Sequence, residues 1–359
     1  MKKFFTLLIS IFLLTSYLKA QTLDVENAIP NQPANTDFGG DVLVANANPV
    51  GSMSGLLTQN GTIYAAISDT QLTANLGLII MQSSNNGNNW TLFGQGIGLR
   101  TKFEQLKLVK TTDSIYCFFR YVNSVYRWNP GNGTVKAFDT TTIVDYDVCV
   151  TSDNSIILFY QTVNNQFRRH GSTDGGFTWI GSGLIANSAG SPRAYKSATG
   201  DTIHVNYRGP LRTDFPEKSI WRSVSYRQTG PGVLASVSGT FMDILTDTTV
   251  TRSELKTVRN GATAWTVYTE GTTGSLNIKM ISSVNGGTVY TAPISIAVNP
   301  GRDEYWFDIG LSQGLISGLD IVYYSDSLQA GVPTNASDKM VYQFSPTSAP
   351  GTVGPPLAF

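Results

Sequence analysis

The chain has 359 residues, a formal net charge of zero from 25 basic and 25 acidic residues, and only 14% charged residues. This balance excludes a nucleic-acid partner, because a phosphate-binding surface needs clustered Lys and Arg and no such run occurs. The polar surface must come from Ser, Thr, Asn and Gly, as is common in extracellular β-proteins.

The first twenty residues have the pattern of a secretory signal peptide. Lys2 and Lys3 precede an apolar stretch from Phe4 to Tyr17, and the chain passes through Leu18-Lys19-Ala20 before it turns polar at Gln21. The alternative is a membrane anchor, but the apolar stretch is shorter than the roughly 20 residues of a spanning helix. We therefore expect cleavage after Ala20, no membrane span, and a secreted or cell-surface protein.

Short runs rich in Val, Ile, Thr, Tyr and Phe recur after residue 48, separated by Gly, Asn and Asp turns, and helical periodicity is nearly absent. This pattern predicts an all-β fold. A turn followed by a strand recurs six times, with the strands starting at Thr62, Ser114, Ser155, Thr202, Ala264 and Leu319. Several of these units follow another short strand, and most precede a third and often a fourth.

The repeat is close in size to a four-stranded blade, which cannot bury both of its faces alone and must stack on its neighbours. We therefore predict a single β-propeller with six four-stranded blades over residues 49–347. A degenerate unit near 37–48 or after Ala330 would make seven blades. Two β-sandwich domains are the competing fold, against which the long, even repetition argues. The remaining boundaries are a signal peptide at 1–20, a lead-in at 21–48 and a Pro/Gly-rich tail at 348–359.

A second pattern recurs in alternate units. The segment from Ser172 to Trp179 has the form Ser-x-Asp-x-Gly-x-Thr-Trp, a copy from Ser83 to Trp90 has Asn for both Asp and Thr, and a copy from Ser282 to Val289 keeps only Ser, Gly and Thr. In such a turn the Asp or Asn side chain accepts from backbone N–H groups, Gly supplies positive φ, and Trp packs inward. The residues with these structural roles are Ser172, Asp174, Gly176, Trp179, Ser83, Asn85, Gly87 and Trp90.

These segments resemble the Asp-box (BNR repeat) of the sialidase-like β-propeller superfamily. The resemblance implies the fold and not an activity, because in that superfamily the boxes lie on the blade periphery, away from the active site. Sialidases also carry an early Phe/Tyr-Arg-Ile-Pro segment, which is missing here, and the segment around Arg193 does not replace it. The resemblance therefore extends to Asp-box propellers in general.

Propeller sites usually form where the loops entering the innermost strands meet, and four predicted entries carry an arginine: Arg100, Arg193, Arg252 and Arg302. Such a ring of guanidinium groups suits the carboxylate of an anionic sugar. The resemblance to sialidases implies that Tyr305, beside Glu254 or Glu304, would serve as nucleophile and base. The alternative is that these are solvated loop charges, often mutually paired and energetically minor.

Neither of the two histidines, His170 and His204, has Cys, Asp or Glu neighbours in a metal-ligand pattern, so we predict no metal site and no cofactor. Cys117 and Cys149 each lie in an apolar run. Export would permit a disulfide between them, and two buried free thiols are the alternative.

Three functions are compatible with these features. The first is a secreted binding or adhesion propeller, directed at an extracellular glycan or a surface protein. The second is a sialidase-like exo-glycoside hydrolase with the Arg, Tyr and carboxylate site described above. The third is a structural module of a surface assembly. The sequence leaves open whether the protein is an enzyme, and its oligomeric state.

Overall fold

The computed structural model describes residues 49–57, 62–69, 76–85, 89–97, 103–138, 142–196, 201–211, 216–237, 242–272, 275–285, 289–297, 302–312, 318–329, 332–333, 339–354 and 356–358. The predicted signal peptide and lead-in lie outside these ranges. Within them the structure consists of strands and one turn of 3-10 helix, Pro216–Lys218. None of the described residues forms a helix long and apolar enough to cross a membrane.

The strands are numbered in chain order, and those that the structure describes form six antiparallel sheets. Sheet 1 contains β1 (Pro49–Leu57), β2 (Ile63–Asp69), β3 (Leu76–Ser83) and β4 (Thr91–Ile97). Sheet 2 contains β5 (Glu104–Lys110), β6 (Ile115–Tyr121), β7 (Ser124–Asn129) and β8 (Gly133–Phe138). Sheet 3 contains β9 (Ile143–Val150), β10 (Ile156–Thr162), β11 (Phe167–Ser172) and β12 (Ile180–Ala186).

Sheet 4 contains β13 (Gly190–Lys196), β14 (Thr202–Arg208), β15 (Trp221–Gly230), β16 (Val233–Ser236) and β17 (Met242–Leu245), with β17 also paired to β15. Sheet 5 contains β18 (Arg252–Asn260), β19 (Thr263–Glu270), β20 (Asn277–Ser283) and β21 (Ile294–Ala297). Sheet 6 contains β22 (Arg302–Ser312), β23 (Gly318–Gln329), β24 (Val332–Pro333), β25 (Lys339–Pro346) and β26 (Leu357–Ala358). Its order is β22-β23-β25-β26, with β24 paired to β23.

The all-β prediction and the count of six repeated units are confirmed. Each predicted turn-plus-strand phrase coincides with the second strand of one sheet, namely β2, β6, β10, β14, β19 and β23. Where their side chains are described, most residues of these second strands are buried. In β10 every residue is buried, whereas β12, the outer strand of the same sheet, is mostly exposed. A strand buried on both faces carries a continuous apolar run, which is why the second strands give the clearest signal in the sequence.

The chain divides into two compact units, residues 1–143 with 173–179, and residues 144–172 with 180–359. In the first unit, sheets 1 and 2 share one core. Leu78 and Ile80 of sheet 1 pack with Leu108 and Phe119 of sheet 2. The backbone N–H of Leu108 donates to Ser54 Oγ at 3.0 Å, which joins the first strands of the two sheets.

In the second unit, each sheet shares a core with the next. Phe159 of sheet 3 packs with Val205 of sheet 4, and Trp221 of sheet 4 packs with Tyr268 of sheet 5. Sheets 5 and 6 enclose Trp265 and Phe307, which are both fully buried. This face-to-face burial between consecutive sheets is what the blade prediction requires, because one sheet alone leaves an apolar face in water.

The three segments that resemble Asp-boxes lie between the third and fourth strands of sheets 1, 3 and 5, and their described residues share one hydrogen bond. In each, a side-chain oxygen accepts from the backbone N–H four residues later: Asn85 from Asn89 at 2.9 Å, Asp174 from Thr178 at 2.9 Å, and Asn285 from Val289 at 3.0 Å. Gly87 lies outside the described residues.

Because Asn285 takes the position of Asp174, the third segment starts at Ser283 and not at Ser282, and Tyr290 takes the place of tryptophan. The sequence alignment was one residue out of register because two serines stand side by side.

The turn at 173–179 packs on sheet 2, within the first unit. Trp179 Nε1 donates to the carbonyl oxygen of Ala137 at 2.6 Å, and its ring meets Phe138 edge-on. The Phe177 ring lies 3.7 Å from the guanidinium carbon of Arg127, which is fully buried. Burial lowers the pKa of Arg127, and the nearby Tyr116 and Asp174 oppose this shift. The turn therefore covers a buried cation with an aromatic ring.

The segment predicted as a C-terminal tail contributes to sheet 6. Within 348–359, β26 pairs with β25, matching Leu357 to Tyr342 and Ala358 to Val341. Gln343 Nε2 also donates to the carbonyl oxygen of Gly354 at 3.0 Å, and Val353 packs against the core of sheets 5 and 6. Pro350 and Gly351 lie in the turn that follows β25.

Candidate functional site: a charge row on the first strands

Charged side chains of the second unit come together along the first strands of sheets 3, 4, 5 and 6. We call this set the charge row, and it consists of Asp145, Asp147, Arg193, Glu254, Lys256 and Asp308. They lie on β9, β13, β18 and β22, so each sheet contributes at least one member. The row contains four carboxylates and two cations, a formal charge of −2.

Arg193 joins sheets 3 and 4. Its Nη1 lies 3.4 Å from Asp145 Oδ1 and 3.3 Å from Asp145 Oδ2, and it donates to the carbonyl oxygen of Pro192 at 2.6 Å. Burial would lower the pKa of Arg193, but Asp145, Asp147 and Glu254 outweigh it and raise the pKa. The cation is therefore held firmly in its charged form.

Asp147 fixes the backbone beside this pair. Its side chain is buried, and it accepts from the N–H of Val148 and from the N–H of Ala194, each at 2.8 Å. The second bond ties β13 to β9, so the position of Arg193 is set by the backbone of both sheets.

Lys256 joins sheets 5 and 6. Its Nζ lies 3.1 Å from Asp308 Oδ1 and 3.4 Å from Glu254 Oε1, and donates to the carbonyl oxygen of Phe307 at 2.8 Å. Burial lowers the pKa of Lys256, and Asp308 and Glu254 more than compensate, so the pKa is raised. The side chains of Arg193, Glu254 and Lys256 keep 34%, 34% and 28% of their surface exposed, so each is partly accessible.

Of the four arginines predicted to bind substrate, the structure describes the side chains of two. Arg193 belongs to the charge row. Arg252 is 3% exposed and is paired with Glu270, with its Nη2 3.1 Å from Oε2, so its guanidinium is used within sheet 5. Arg100 lies outside the described residues. Arg302 starts β22, and its side chain is not among those described.

Of the three residues predicted as catalytic, Glu254 lies in the charge row. Glu304 is fully buried on β22, and its backbone N–H donates to the carbonyl oxygen of Leu276. Burial, with a smaller contribution from Glu304, raises the pKa of Tyr323. The side chain of Tyr305 is not among those described. The structure thus brings Arg193 and Glu254 into one row and places Arg252 and Glu304 in the interior.

Sequence reasoning missed Asp145, Asp147, Lys256 and Asp308. A usable signal was present, because Asp145 and Asp147, like Glu254 and Lys256, stand two residues apart in a strand, and that spacing puts both side chains on one face. Among the described residues, no group of three or more His, Cys, Asp or Glu side chains is arranged to hold a metal ion. Both cysteines are buried free thiols, which answers the question that the sequence left open.

No protein-family model matches the chain, and no curated protein matches it. Solved structures do resemble it. A polysaccharide lyase of family PL25, an ulvan lyase bound to -[GlcA(1-4)Rha3S]-, has a TM-score of 0.53 at 11% identity, over 84% of this chain and 82% of that one. A second ulvan lyase structure has a TM-score of 0.52 at 9% identity, with the same two coverages. The fold class is an all-β propeller.

A lectin from Aleuria aurantia, described as a six-bladed β-propeller, has a TM-score of 0.46 at 13% identity, over 85% of this chain and 94% of that one. At identities this low, what the ulvan lyases share with this chain is the fold. The functional argument must therefore come from the side chains of this chain.

Proposed function

We propose that this protein is an exported β-propeller that binds a glycan at the charge row. The observation that carries the proposal is the set of mutually paired charged side chains on the first strands of four consecutive sheets, of which Arg193, Glu254 and Lys256 are partly exposed. Arg193, Glu254 and Lys256 offer donors and acceptors side by side, and the side chains of Arg193 and Lys256 each donate to a backbone carbonyl oxygen. Sugar hydroxyl groups both donate and accept, and a few precisely placed polar groups fix the orientation of such ligands.

The charge balance favours an uncharged glycan over a polyanion. Both cations of the row already face carboxylates, and the row as a whole has two more negative than positive groups. An anionic sugar would bring another negative charge close to Asp145 and Asp308, which already face the two cations, and the repulsion would weaken its binding. A neutral hydroxyl group can instead bridge a cation and a carboxylate without breaking the pair.

Binding fits the described residues better than sialidase-type hydrolysis does. A sialidase-type site would need several exposed guanidinium groups around the carboxylate of the sugar. Arg252 is instead buried against Glu270. A buried Glu304 is likewise out of reach of a substrate. We also propose that the chain belongs with the Asp-box propellers, which the shared turn geometry supports, and that it is exported through its first twenty residues.

The test is a glycan array followed by calorimetric titration of the best neutral oligosaccharide. Arg193→Ala should weaken that affinity at least tenfold, about 1.4 kcal/mol, because the row loses one of its two cationic donors. Arg222→Ala is the matched control. Arg222 also pairs with one aspartate, Asp243, and is 37% exposed, but it lies outside the row.

Unchanged affinity in Arg193→Ala would reject the charge row as the binding site, provided that its thermal unfolding matches that of Arg222→Ala. Preferential binding of sulfated or uronate glycans would contradict the argument from charge. Release of the fluorophore from a fluorogenic sialoside would overturn the assignment as a binding protein in favour of the hydrolase.

A further inference from the structure

A cleft between sheets 1 and 2, in the first unit, has the composition of a second ligand site. Its volume is about 480 Å³, within the range of about 300–1,000 Å³ that is typical of small-molecule sites. Tyr64 and Phe93 of sheet 1 and Lys110, Asp113 and Asn129 of sheet 2 are among its lining residues. None of them belongs to the charge row.

One wall of the cleft is aromatic and rigid. The rings of Tyr64 and Phe93 meet edge-to-face with centroids 4.9 Å apart, and Phe93 meets Trp128 in the same manner at 6.1 Å. Trp128 is itself held by a hydrogen bond from its Nε1 to the carbonyl oxygen of Gln95 at 2.9 Å. Aromatic rings fixed in this way present a negative π face that attracts the weakly positive C–H groups of a ligand.

The lining of the cleft also includes a buried acceptor. Asn129 is 6% exposed, and its side-chain oxygen has no hydrogen-bond partner among the described residues. A buried amide oxygen without a partner costs about 1–3 kcal/mol. A ligand hydroxyl group that donates to Asn129 would remove that cost, so the residue favours a hydroxylated ligand.

The rim carries one charge of each sign. Lys110 ends β5, and Asp113 lies in the turn that follows, where it is exposed and accepts from Thr112 Oγ1 at 3.0 Å. The two charges cancel, so the cleft offers a donor and an acceptor without attracting an ion of either sign. A ligand with an apolar face, several hydroxyl groups and no charge fits all three features.

We propose that this cleft binds one or two neutral pyranose residues, with a C–H face of the sugar against Tyr64 and Phe93 and a hydroxyl group donating to Asn129. This ligand is of the same class as that of the charge row, but the two sites share no residue. Each proposal therefore has its own test. A chain with both sites would be bivalent toward a polysaccharide, which raises its overall avidity when both can be occupied at once.

Saturation-transfer NMR with the methyl glycosides of glucose, galactose, mannose and rhamnose tests the cleft. We expect at least one glycoside to receive saturation from the wild-type protein, and the signal to fall at least tenfold in Tyr64→Ala and in Asp113→Ala. Tyr126→Ala is the matched control, because Tyr126 packs half-buried against the same core but does not line the cleft. Asp113 is exposed, so its variant tests the site without disturbing the core.

Three outcomes would overturn the proposal. These are no transfer to any of the four glycosides, an equal loss in Tyr126→Ala and Tyr64→Ala, or no loss in Asp113→Ala. The Arg193→Ala variant separates this proposal from the charge row. If Arg193→Ala abolishes the transfer and Tyr64→Ala does not affect it, the cleft is rejected and the charge row is supported. The reverse result would support the cleft and reject the charge row for these ligands.

Discussion

At the scale of single residues, the environment of His204 shows how burial and one cation control a titratable group. The ring is 5% exposed and stacks on Tyr195 at 5.1 Å. Arg259 donates to its Nε2, and its Nδ1 lies 2.8 Å from Ser225 Oγ. A guanidinium group can only donate, so Nε2 must be the acceptor and Nδ1 carries the proton. The neutral ring is therefore the form that fits these two hydrogen bonds.

We predict that His204 makes the stability of the protein depend on pH between about 6.5 and 4. Burial, and secondarily Arg259, lowers the pKa of His204 from 6.5 to about 4 in the folded state. As the pH falls through 6.5 the unfolded chain takes up a proton that the folded chain refuses, so stability is lost until the folded ring also protonates near pH 4. The full shift corresponds to about 3 kcal/mol.

The measurement is the free energy of unfolding in urea, from pH 8 to pH 4, for the wild type and for His204→Gln. Gln keeps an acceptor for Arg259 and does not titrate, so the variant should lose less stability over this interval. The difference between the two curves isolates His204 from the carboxylates and from His170, whose pKa burial also lowers. Parallel curves would show that the ring does not titrate as predicted.

At the scale of elements, the turn at 173–179 illustrates how a short pattern specifies a local structure. Asp174 accepts from the N–H groups of Phe177 and Thr178, and from the hydroxyl group of Thr178 at 2.6 Å. In the turns of sheets 1 and 5, an asparagine side-chain oxygen takes the place of the carboxylate. It accepts from the backbone N–H four residues later, as Asp174 does. The oxygen, and not the charge, is therefore the shared requirement.

We predict that Asp174→Ala lowers the free energy of unfolding by about 1–2 kcal/mol, because the N–H groups of Phe177 and Thr178 lose their acceptor. Asp174→Asn should cost less than half as much, since it restores the oxygen found in the other two turns. Thr173→Ala, at an exposed neighbouring position, is the control and should stay within about 0.5 kcal/mol. Equal losses in Asp174→Ala and Asp174→Asn would mean that the charge is what matters.

At the scale of the whole molecule, stability depends on how closely consecutive sheets approach. Gly171 of β11 faces the turn between β15 and β16, where a Cβ atom on Gly171 would lie 1.8 Å from the carbonyl oxygen of Gly232. The same turn is fixed to sheet 3 by the N–H of Gly232, which donates to Ser155 Oγ at 2.9 Å. The backbones of sheets 3 and 4 therefore meet where only glycine leaves room.

Gly171→Ala should consequently destabilise the second unit by about 1–3 kcal/mol or more, because the atom it adds meets backbone that cannot turn aside. Gly230→Ala, in β15, serves as the control, since nothing lies within 4 Å of its Cβ position and its φ is outside the left-handed region. Urea unfolding of the two variants measures the difference. A Gly171→Ala protein as stable as Gly230→Ala would show that sheets 3 and 4 are not packed as described.

The sequence alone determined the all-β class, the six repeated units and the placement of three similar turns in alternate sheets. These features are local. The sequence pattern of a strand buried on both faces, or of a turn closed by one Asp or Asn, is contained within about ten residues. Even the error at the third turn was local, since Ser282 and Ser283 fit the pattern equally well until Asn285 is seen to accept from Val289.

Only the tertiary structure decided which charged side chains are partly exposed and which are buried. Arg193 and Arg252 look alike in the sequence, each shortly before or within a first strand, yet one lies half-exposed in the charge row and the other is buried against Glu270. The aromatic cleft was invisible for the same reason, since Tyr64 and Asn129 are 65 positions apart and meet only because sheets 1 and 2 pack face to face. Burial and pairing depend on neighbours from other strands, and the packing of sheets selects those neighbours.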